Sequence, residues 1–257
     1  MNTSTALSGF DLTGKVALVT GSTRGLGCAI SEAFGAAGAA IVAHGTDRSE
    51  VDARVADWSA RGWRVAGCVA DLAARGGVHE LQRSVASAFG AADILVLNAS
   101  VEIIQPWREM TDEAMQRQSQ VNLHAPVGLI QAFLPAMSSR GWGRILAIGS
   151  VQEERPNAGH LFYSATKAAQ TSMILNLARN ERAPGVTFNV LRPGAILTDR
   201  NRARLADATF EASVVERIPS GRIGVPADCA GAALLLCSDA GSYLNGAVLS
   251  VDGGMRL

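Results

Sequence analysis

Tyr163 and Lys167 stand four residues apart in Tyr163-Ser164-Ala165-Thr166-Lys167, a spacing that sets phenol and ammonium on one side of a helix. At about 4 Å and an effective dielectric near 20, the lysine charge is worth roughly 4 kcal/mol, enough to draw a tyrosine pKa from about 10 towards 7. A phenol poised there exchanges protons with an alcohol or carbonyl oxygen. The spacing also arises by chance, so its companions matter. Ser150 ends an apolar run upstream, where its hydroxyl could donate to the same substrate oxygen. Asn122 falls inside a helical stretch, a mildly unfavourable place. It is either a satisfied polar residue or a bend that holds a water beside the lysine.

A second constellation is Thr20-Gly21-Ser22-Thr23-Arg24-Gly25-Leu26-Gly27, between an apolar run and a helical pattern. Glycines there let backbone amides approach a pyrophosphate at a helix N-terminus, where the macrodipole favours negative charge. The turn lacks the Gly-Lys-Ser/Thr ending of a triphosphate loop, so a dinucleotide is preferred over ATP. The same glycines would also serve plain helix–sheet packing. An acid after the second strand would hold the adenosine ribose and repel a 2′-phosphate, but Gly45 occupies that place in His44-Gly45-Thr46-Asp47-Arg48. Arg24 and Arg48 could neutralise a 2′-phosphate, so NADP(H) is favoured and NAD(H) stays open. A small register shift would instead put Asp47 on the ribose. Asp71 could accept from the adenine amino group or cap the following helix.

These groups need a scaffold. Apolar runs at Val16–Val19, Ala40–Ala43, Val65–Val69, Ile94–Leu97, Ile145–Ile148, Val186–Leu191 and Val248–Val251 read as strands buried on both faces. Helical patterns fall at 25–37, 48–60, 75–89, 112–138, 161–182 and 226–237. The alternation predicts a doubly wound, Rossmann-type α/β fold with a seven-stranded parallel sheet, and a single domain over 1–257. Residues 151–160 and 195–220 fall outside the repeat, at strand ends where such folds build ligand sites.

Composition narrows the classes. Twenty-three Lys and Arg balance twenty-three Asp and Glu, leaving no global field for nucleic acid or anionic lipid. The partner is expected to be a small molecule. Cys28, Cys68, Cys229 and Cys237 form no C-x-x-C pair and read as reduced core thiols, with no metal site expected. The start, MNTSTALSGFDL, has no basic region followed by a long apolar run, so no leader is expected. No apolar stretch reaches the roughly 18 residues of a membrane span. A cytoplasmic protein is expected.

Together the T-G-x-x-x-G-x-G turn, Asp71, Asn98-Ala99, Asn122, Ser150, Y-x-x-x-K, Arg192-Pro193-Gly194 with Thr198, and Val251-Asp252-Gly253-Gly254 resemble the classical short-chain dehydrogenase/reductase family over nearly the whole chain. The resemblance implies an active tetrad of Asn122, Ser150, Tyr163 and Lys167. In it Tyr163 is the acid/base, Ser150 orients the carbonyl, Lys167 binds the nicotinamide ribose and lowers the tyrosine pKa, and Asn122 supports a water relay. It implies cofactor contacts from Gly21, Ser22, Thr23, Arg24, Gly25, Leu26, Gly27, Thr46, Arg48, Asp71, Leu72, Asn98, Ala99, Tyr163, Lys167, Pro193, Gly194, Ile196 and Thr198. It also implies a mobile lid after Thr198, within 195–220, and a homotetramer, with a dimer as the lesser assembly. One departure is Leu97-Asn98-Ala99-Ser100 where the family has N-N-A-G, which removes a polar contact and puts a side chain near the cofactor.

Val101, Ile103, Ile104, Trp107, Gln152, Glu153, Arg155, His160, Arg200, Asn201 and Arg202 are candidates to line the substrate end. Their polar and cationic mixture suits a sugar, polyol or hydroxy acid better than a steroid. The rivals are a 3-oxoacyl-thioester (acyl-carrier-protein) reductase and, in another class, a non-catalytic dinucleotide sensor. Retention of both Tyr163 and Lys167 argues against the sensor. The expected activity is hydride transfer between NAD(P)(H) and a small carbonyl or secondary alcohol.

Overall fold

The computed structural model describes residues 7–257; the first six, part of the segment read for a leader, lie outside the described residues. Strands β1 (Val16–Val19), β2 (Ala40–Gly45), β3 (Val65–Val69), β4 (Ile94–Leu97), β5 (Gly143–Ile148), β6 (Val186–Pro193) and β7 (Val248–Val251) form one sheet. Its order is β3-β2-β1-β4-β5-β6-β7, with every pairing parallel. Successive side chains of a strand point to opposite faces. Thus Val16 and Leu18 pack with Leu81, Leu129, Phe133 and Ile174, whereas Ala17 and Val19 pack with Ile30, Phe34, Trp58 and Leu236. Both faces are covered, which is why the strands read as continuous apolar runs.

The first of those layers comes from α3 (Gly77–Phe89), α5 (Ala125–Arg140) and α6 (Leu161–Asn180). The other comes from α1 (Gly25–Ala36), α2 (Arg48–Ala60) and α9 (Pro226–Cys237). The excursion at 195–220 is not irregular: it folds into α7 (Asp199–Leu205) and α8 (Ala208–Val215) around Leu205, Val214 and Ile218. The chain runs outward in both directions from β1 and β4, so their carboxyl ends open a crevice.

The helix expected over 112–138 is interrupted. It runs as α4 (Asp112–Ser119), then a π turn at Gln120–His124, then α5. A π turn widens the helix by one residue and re-aims its side chains. Here it delivers Asn122, fully buried, to the backbone of Val101. The carboxamide accepts from Val101 N–H and donates to Val101 C=O, both at 2.9 Å, as a neighbouring strand would. Its Nδ2 also donates to Thr166 Oγ1 at 3.0 Å, tying the β4 loop to α6.

Among the described residues the four cysteines are unpaired, no His/Cys/Asp/Glu group could hold a metal, and no helix is long and apolar enough to cross a membrane. Leu97, the residue of the family departure, is buried in the core between sheet and helices.

Replacing Asn122 by Ala strands both backbone polar groups of Val101. Each loss costs about 1–3 kcal/mol. Urea unfolding of Asn122→Ala is expected to show about 2–4 kcal/mol lower stability; a loss below about 0.5 kcal/mol would mean that water substitutes for the carboxamide.

Candidate active site

The glycine-rich turn joins β1 to α1. Gly21 has φ +66°, left-handed backbone that favours glycine. A Cβ at Gly27 would lie 2.3 Å from Gly21 O, so helix and turn touch without room for a side chain. Helix α1 has no side-chain cap and no acid in its first turn, and Gly25, Leu26 and Gly27 line the cavity. Its first N–H groups and positive dipole end are therefore available to an anion. The fit to a pyrophosphate lies in this backbone. Thr20 Oγ1 donates to Val96 O and accepts from the amides of Asn98 and Ala99, both at 3.0 Å. Asn98 Nδ2 donates to Thr20 O and Gly21 O at 2.8 and 3.1 Å, fixing the turn against β4.

His44, overlooked in the sequence, braces the same turn. Its Nδ1 accepts from Gly21 N–H at 2.9 Å and its Nε2 lies 3.1 Å from Ala70 O, so the proton sits on Nε2. Burial pulls the imidazole down to about 4, keeping it neutral. Ser22, expected at the cofactor, turns inward instead: its hydroxyl accepts from His44 N–H at 2.8 Å, and it does not line the cavity.

At the adenosine end, a Cβ on Gly45 would come 2.7 Å from Thr23 Cγ2, so any side chain there would have to displace Thr23. Thr23, Thr46, Asp71 and Leu72 line the cavity. Asp47 is withdrawn: it caps α2 by accepting from Glu50 N–H at 3.0 Å. Arg48, expected on a 2′-phosphate, does not line the cavity and reaches Asp52 at 3.9 Å on the same helix. Glu50, also overlooked, does line it, accepting from Thr23 Oγ1 and Arg24 Nη1, each at 2.9 Å. Asp71 does not cap a helix; it accepts from Ala73 N–H at 2.9 Å in a tight turn.

At the other end Ser150, Tyr163 and Lys167 converge on the cavity, joined by Pro193, Gly194, Ile196 and Thr198. Ser150 follows β5. Its N–H donates to Glu153 Oε1 at 2.8 Å, and Arg192 holds the other oxygen of that buried carboxylate at 2.8 Å. Tyr163 and Lys167 sit one turn apart on α6, both buried. Lys167 Nζ donates to Ile148 O at 2.8 Å and Gln170 Oε1 at 3.3 Å, which leaves one of its three N–H groups. Burial lowers the ammonium to about 8.

The expected electrostatic draw of Lys167 on the phenol is not realised. Nζ lies 6.0 Å from the tyrosine ring centroid, and burial pushes the phenol up to about 12 despite Arg200 and a hydrogen bond from Ser150. Tyr163 is therefore a phenol, a proton donor, at neutral pH. Asn122 does not line the cavity; its contacts place α6.

The cavity measures about 580 Å³ and runs from Thr46 and Asp71 to Tyr163. Of the substrate-end candidates, Val101, Gln152, His160, Arg200 and Asn201 line it, while Ile103, Ile104, Trp107, Glu153, Arg155 and Arg202 do not. Ser100, the second departure, latches the excursion: its C=O and hydroxyl accept from Arg200 on α7 at 2.8 and 3.2 Å. Glu102, Asn157, Arg117, Arg204, Arg217 and Met255 also line the cavity, unforeseen because they come from elements distant in sequence.

The profile of a family described as Enoyl-(Acyl carrier protein) reductase matches residues 21–256. A 3-oxoacyl-(acyl-carrier-protein) reductase of Salmonella typhimurium is 35% identical over 245 residues, spanning 95% of this chain and 98% of the relative. The chain belongs to the short-chain dehydrogenase/reductase family. A 3-oxoacyl (acyl-carrier-protein) reductase from Agrobacterium tumefaciens, solved with NADP bound, is similar at TM-score 0.91 and 38% identity, covering 96% of each chain. A gluconate 5-dehydrogenase from Burkholderia cenocepacia, in complex with NADP and tartrate, is similar at TM-score 0.92 and 33% identity, covering 97% of this chain and 98% of that one. This member of the family is an NAD(P)-dependent oxidoreductase that moves a hydride between the nicotinamide cofactor and a carbonyl or alcohol carbon.

Because His44 is held neutral, the folded state resists its protonation. The histidine contribution is complete above pH 6.5, the unfolded value, and is lost as pH falls towards about 4. The urea midpoint of the native protein is expected to fall more steeply from pH 7 to pH 5 than that of His44→Gln; parallel slopes would show that His44 is not the titrating group.

Proposed function

We propose that the protein is an NADP(H)-dependent reductase or dehydrogenase of small polyhydroxylated carbonyl compounds, a sugar, polyol or hydroxy acid, with Asn122, Ser150, Tyr163 and Lys167 as its working tetrad. The observation that carries this reading is a continuous cavity from the uncapped N-terminus of α1 to the buried Tyr163 phenol. Backbone amides of the glycine turn would hold the pyrophosphate, Thr46, Asp71 and Leu72 the adenosine, and Lys167, Pro193, Gly194, Ile196 and Thr198 the nicotinamide end. When bound, the nicotinamide supplies or takes the hydride. Ser150 donates a hydrogen bond to the carbonyl oxygen, and Tyr163 transfers its proton to that oxygen as charge develops. Lys167, fixed by Ile148 O and Gln170 Oε1, has one N–H left to give to the nicotinamide ribose. Asn122 acts as a positioning residue that sets α6.

The closed place of Gly45 and the lack of an acid on β2 support NADP(H), as do the NADP-bound relatives. Arg24 would exchange Glu50 for the 2′-phosphate; the pair it gives up is exposed and worth at most about 1 kcal/mol. A 3-oxoacyl-thioester reductase is the second reading, favoured by the 35%-identical Salmonella relative. We further read residues 1–257 as one domain with α7 and α8 as its lid. The part-exposed Val127, Leu161 and Leu175 on α5 and α6 support pairing of those helices in a homotetramer. The unpaired cysteines support a cytoplasmic setting.

The decisive test assays both cofactors against aldoses, ketoses, polyols, hydroxy acids and acetoacetyl thioesters. Tyr163→Phe should lower turnover by about 10²–10⁴-fold with cofactor affinity nearly unchanged; unaltered turnover would overturn the mechanism. In the same assays Glu50→Gln, which frees Arg24 and removes a negative charge, should lower KM for NADP(H) by roughly 3- to 10-fold and not that for NAD(H). An equal effect on both would place the 2′-phosphate elsewhere.

A further inference from the structure

A charged cluster beside Tyr163 takes no part in the proton transfer. Glu102, on the loop after β4, lies 3.1 Å from His160 Nε2 and 3.8 Å from Arg200 Nη1. The second ring nitrogen of His160 lies 3.2 Å from Ala158 O. A carboxylate and a carbonyl only accept, so both contacts are hydrogen bonds only if the ring carries two protons. The bond to Glu102, chief among the causes, raises the imidazole pKa in the same sense. Glu102 thus faces His160, Arg200 and Arg204, and against the upward push of burial these hold its own pKa down.

More positive charge surrounds it. Arg117 on α4, Arg204 on α7 and Arg217 beyond α8 all line the same cavity. Among the described residues none of the three has a carboxylate within 4 Å, whereas the rim acid Asp199 already pairs with Arg202 at 3.4 Å. Arg204 rests its guanidinium 4.8 Å over the Phe210 ring. Arg217 donates to Ser213 O at 3.1 Å and Asn157 Oδ1 at 3.3 Å, neither an anion. Arg217 is set in place by neutral neighbours, and Arg204 by an aromatic ring with the charge of Glu102 nearby. In a chain of zero net charge, such an excess at one end of a cavity is local and directional.

We propose that Arg204 and Arg217, with Arg200 beside them, form a carboxylate-binding subsite, so that the substrate is an oxo or hydroxy acid. Its carboxylate is gripped from the lid while its reacting carbon lies at Tyr163. This rests on the oxidoreductase reading above and names the substrate class that reading leaves open. A guanidinium binds a carboxylate through two parallel N–H groups, which fixes orientation as well as affinity. Glu102, neutralised by His160 and Arg200, does not repel the acid. Because Arg200 already donates to Ser100, arrival of the carboxylate completes a bridge between the β4 loop and α7 and α8.

The test measures NADP(H)-linked turnover of hydroxy and oxo acids beside uncharged polyols and ketoses of matched length, sugar phosphates and acetoacetyl thioesters. The native protein should favour the acid over its uncharged counterpart by at least about tenfold in kcat/KM, with KM for the acid rising with salt. Arg204→Gln and Arg217→Gln should each cut that ratio roughly tenfold, mainly through KM. Arg202→Gln, on the same helix but off the cavity, should leave it alone. Turnover of uncharged compounds without preference for the acid, or an unmoved ratio in both variants, overturns the subsite while leaving the oxidoreductase reading intact. Preference for sugar phosphates or thioesters overturns the carboxylate assignment. No turnover of any compound by cofactor-binding protein overturns the oxidoreductase reading itself, and the subsite falls with it.

Discussion

The buried carboxamide of Asn122 is the joint on which the site depends. It presents an acceptor and a donor to the backbone of one residue, Val101, and a further N–H to Thr166 on another helix. Thr166 in turn bonds Tyr163 O at 2.8 Å, within the turn that carries both tyrosine and lysine. Upstream, the same loop is pinned to the end of β1 through Thr20 and Asn98, whose contacts also shape the glycine turn. One path of contacts therefore runs from the glycine-rich turn to Tyr163. A regular helix would keep residue 122 in register with its own turns; the π turn gives that up so that the amide can reach out.

Burial sets the protonation of the site more than neighbouring charge does. Tyr163 and Lys167 are both moved towards their uncharged forms, the phenol upwards and the ammonium downwards. Lys167 keeps its proton near neutrality because burial and Arg200 lower it only to about 8, against the opposing charges of Glu153 and Glu102. The phenol stays protonated near neutrality. Alcohol oxidation needs the opposite state, and its cost falls only if positive charge arrives close to the phenol.

Much of this was legible in the residues. Apolar runs marked the inner strands because both sheet faces are buried there, though the edge strands β3 and β7 are only partly covered, and Tyr163, Lys167 and Ser150 were visible because strand end and helix turn impose fixed spacings. What escaped depended on side-chain direction. Ser22 sits inside the glycine motif yet turns to His44, and Arg48 begins α2 yet leans along its own helix to Asp52. No spacing distinguishes those choices. The draw of Lys167 on Tyr163 was overstated for a related reason: four residues fix a shared face, while the end of a flexible side chain goes to the best acceptor, here Ile148 O. The interruption of the 112–138 helix was foreshadowed by Asn122, but a π turn is a tertiary outcome, bought with contacts to Val101 and Thr166.

The two ends of the cavity handle acids in opposite ways. At the adenosine end, Glu50 and Arg24 form an exposed pair in which water screens both partners, so either can be released to a ligand at small cost. At the substrate end, Glu102 is largely enclosed between His160 and Arg200, and freeing it would strand a charge away from water. The first acid is exchangeable and the second is structural. The pair at the adenosine end is weak and can rearrange, while the wall beside Tyr163 carries Glu102 already held by His160 and Arg200. An anion that reaches that wall is met by groups already in place, which is the condition for binding energy to be used in orientation rather than in rearrangement.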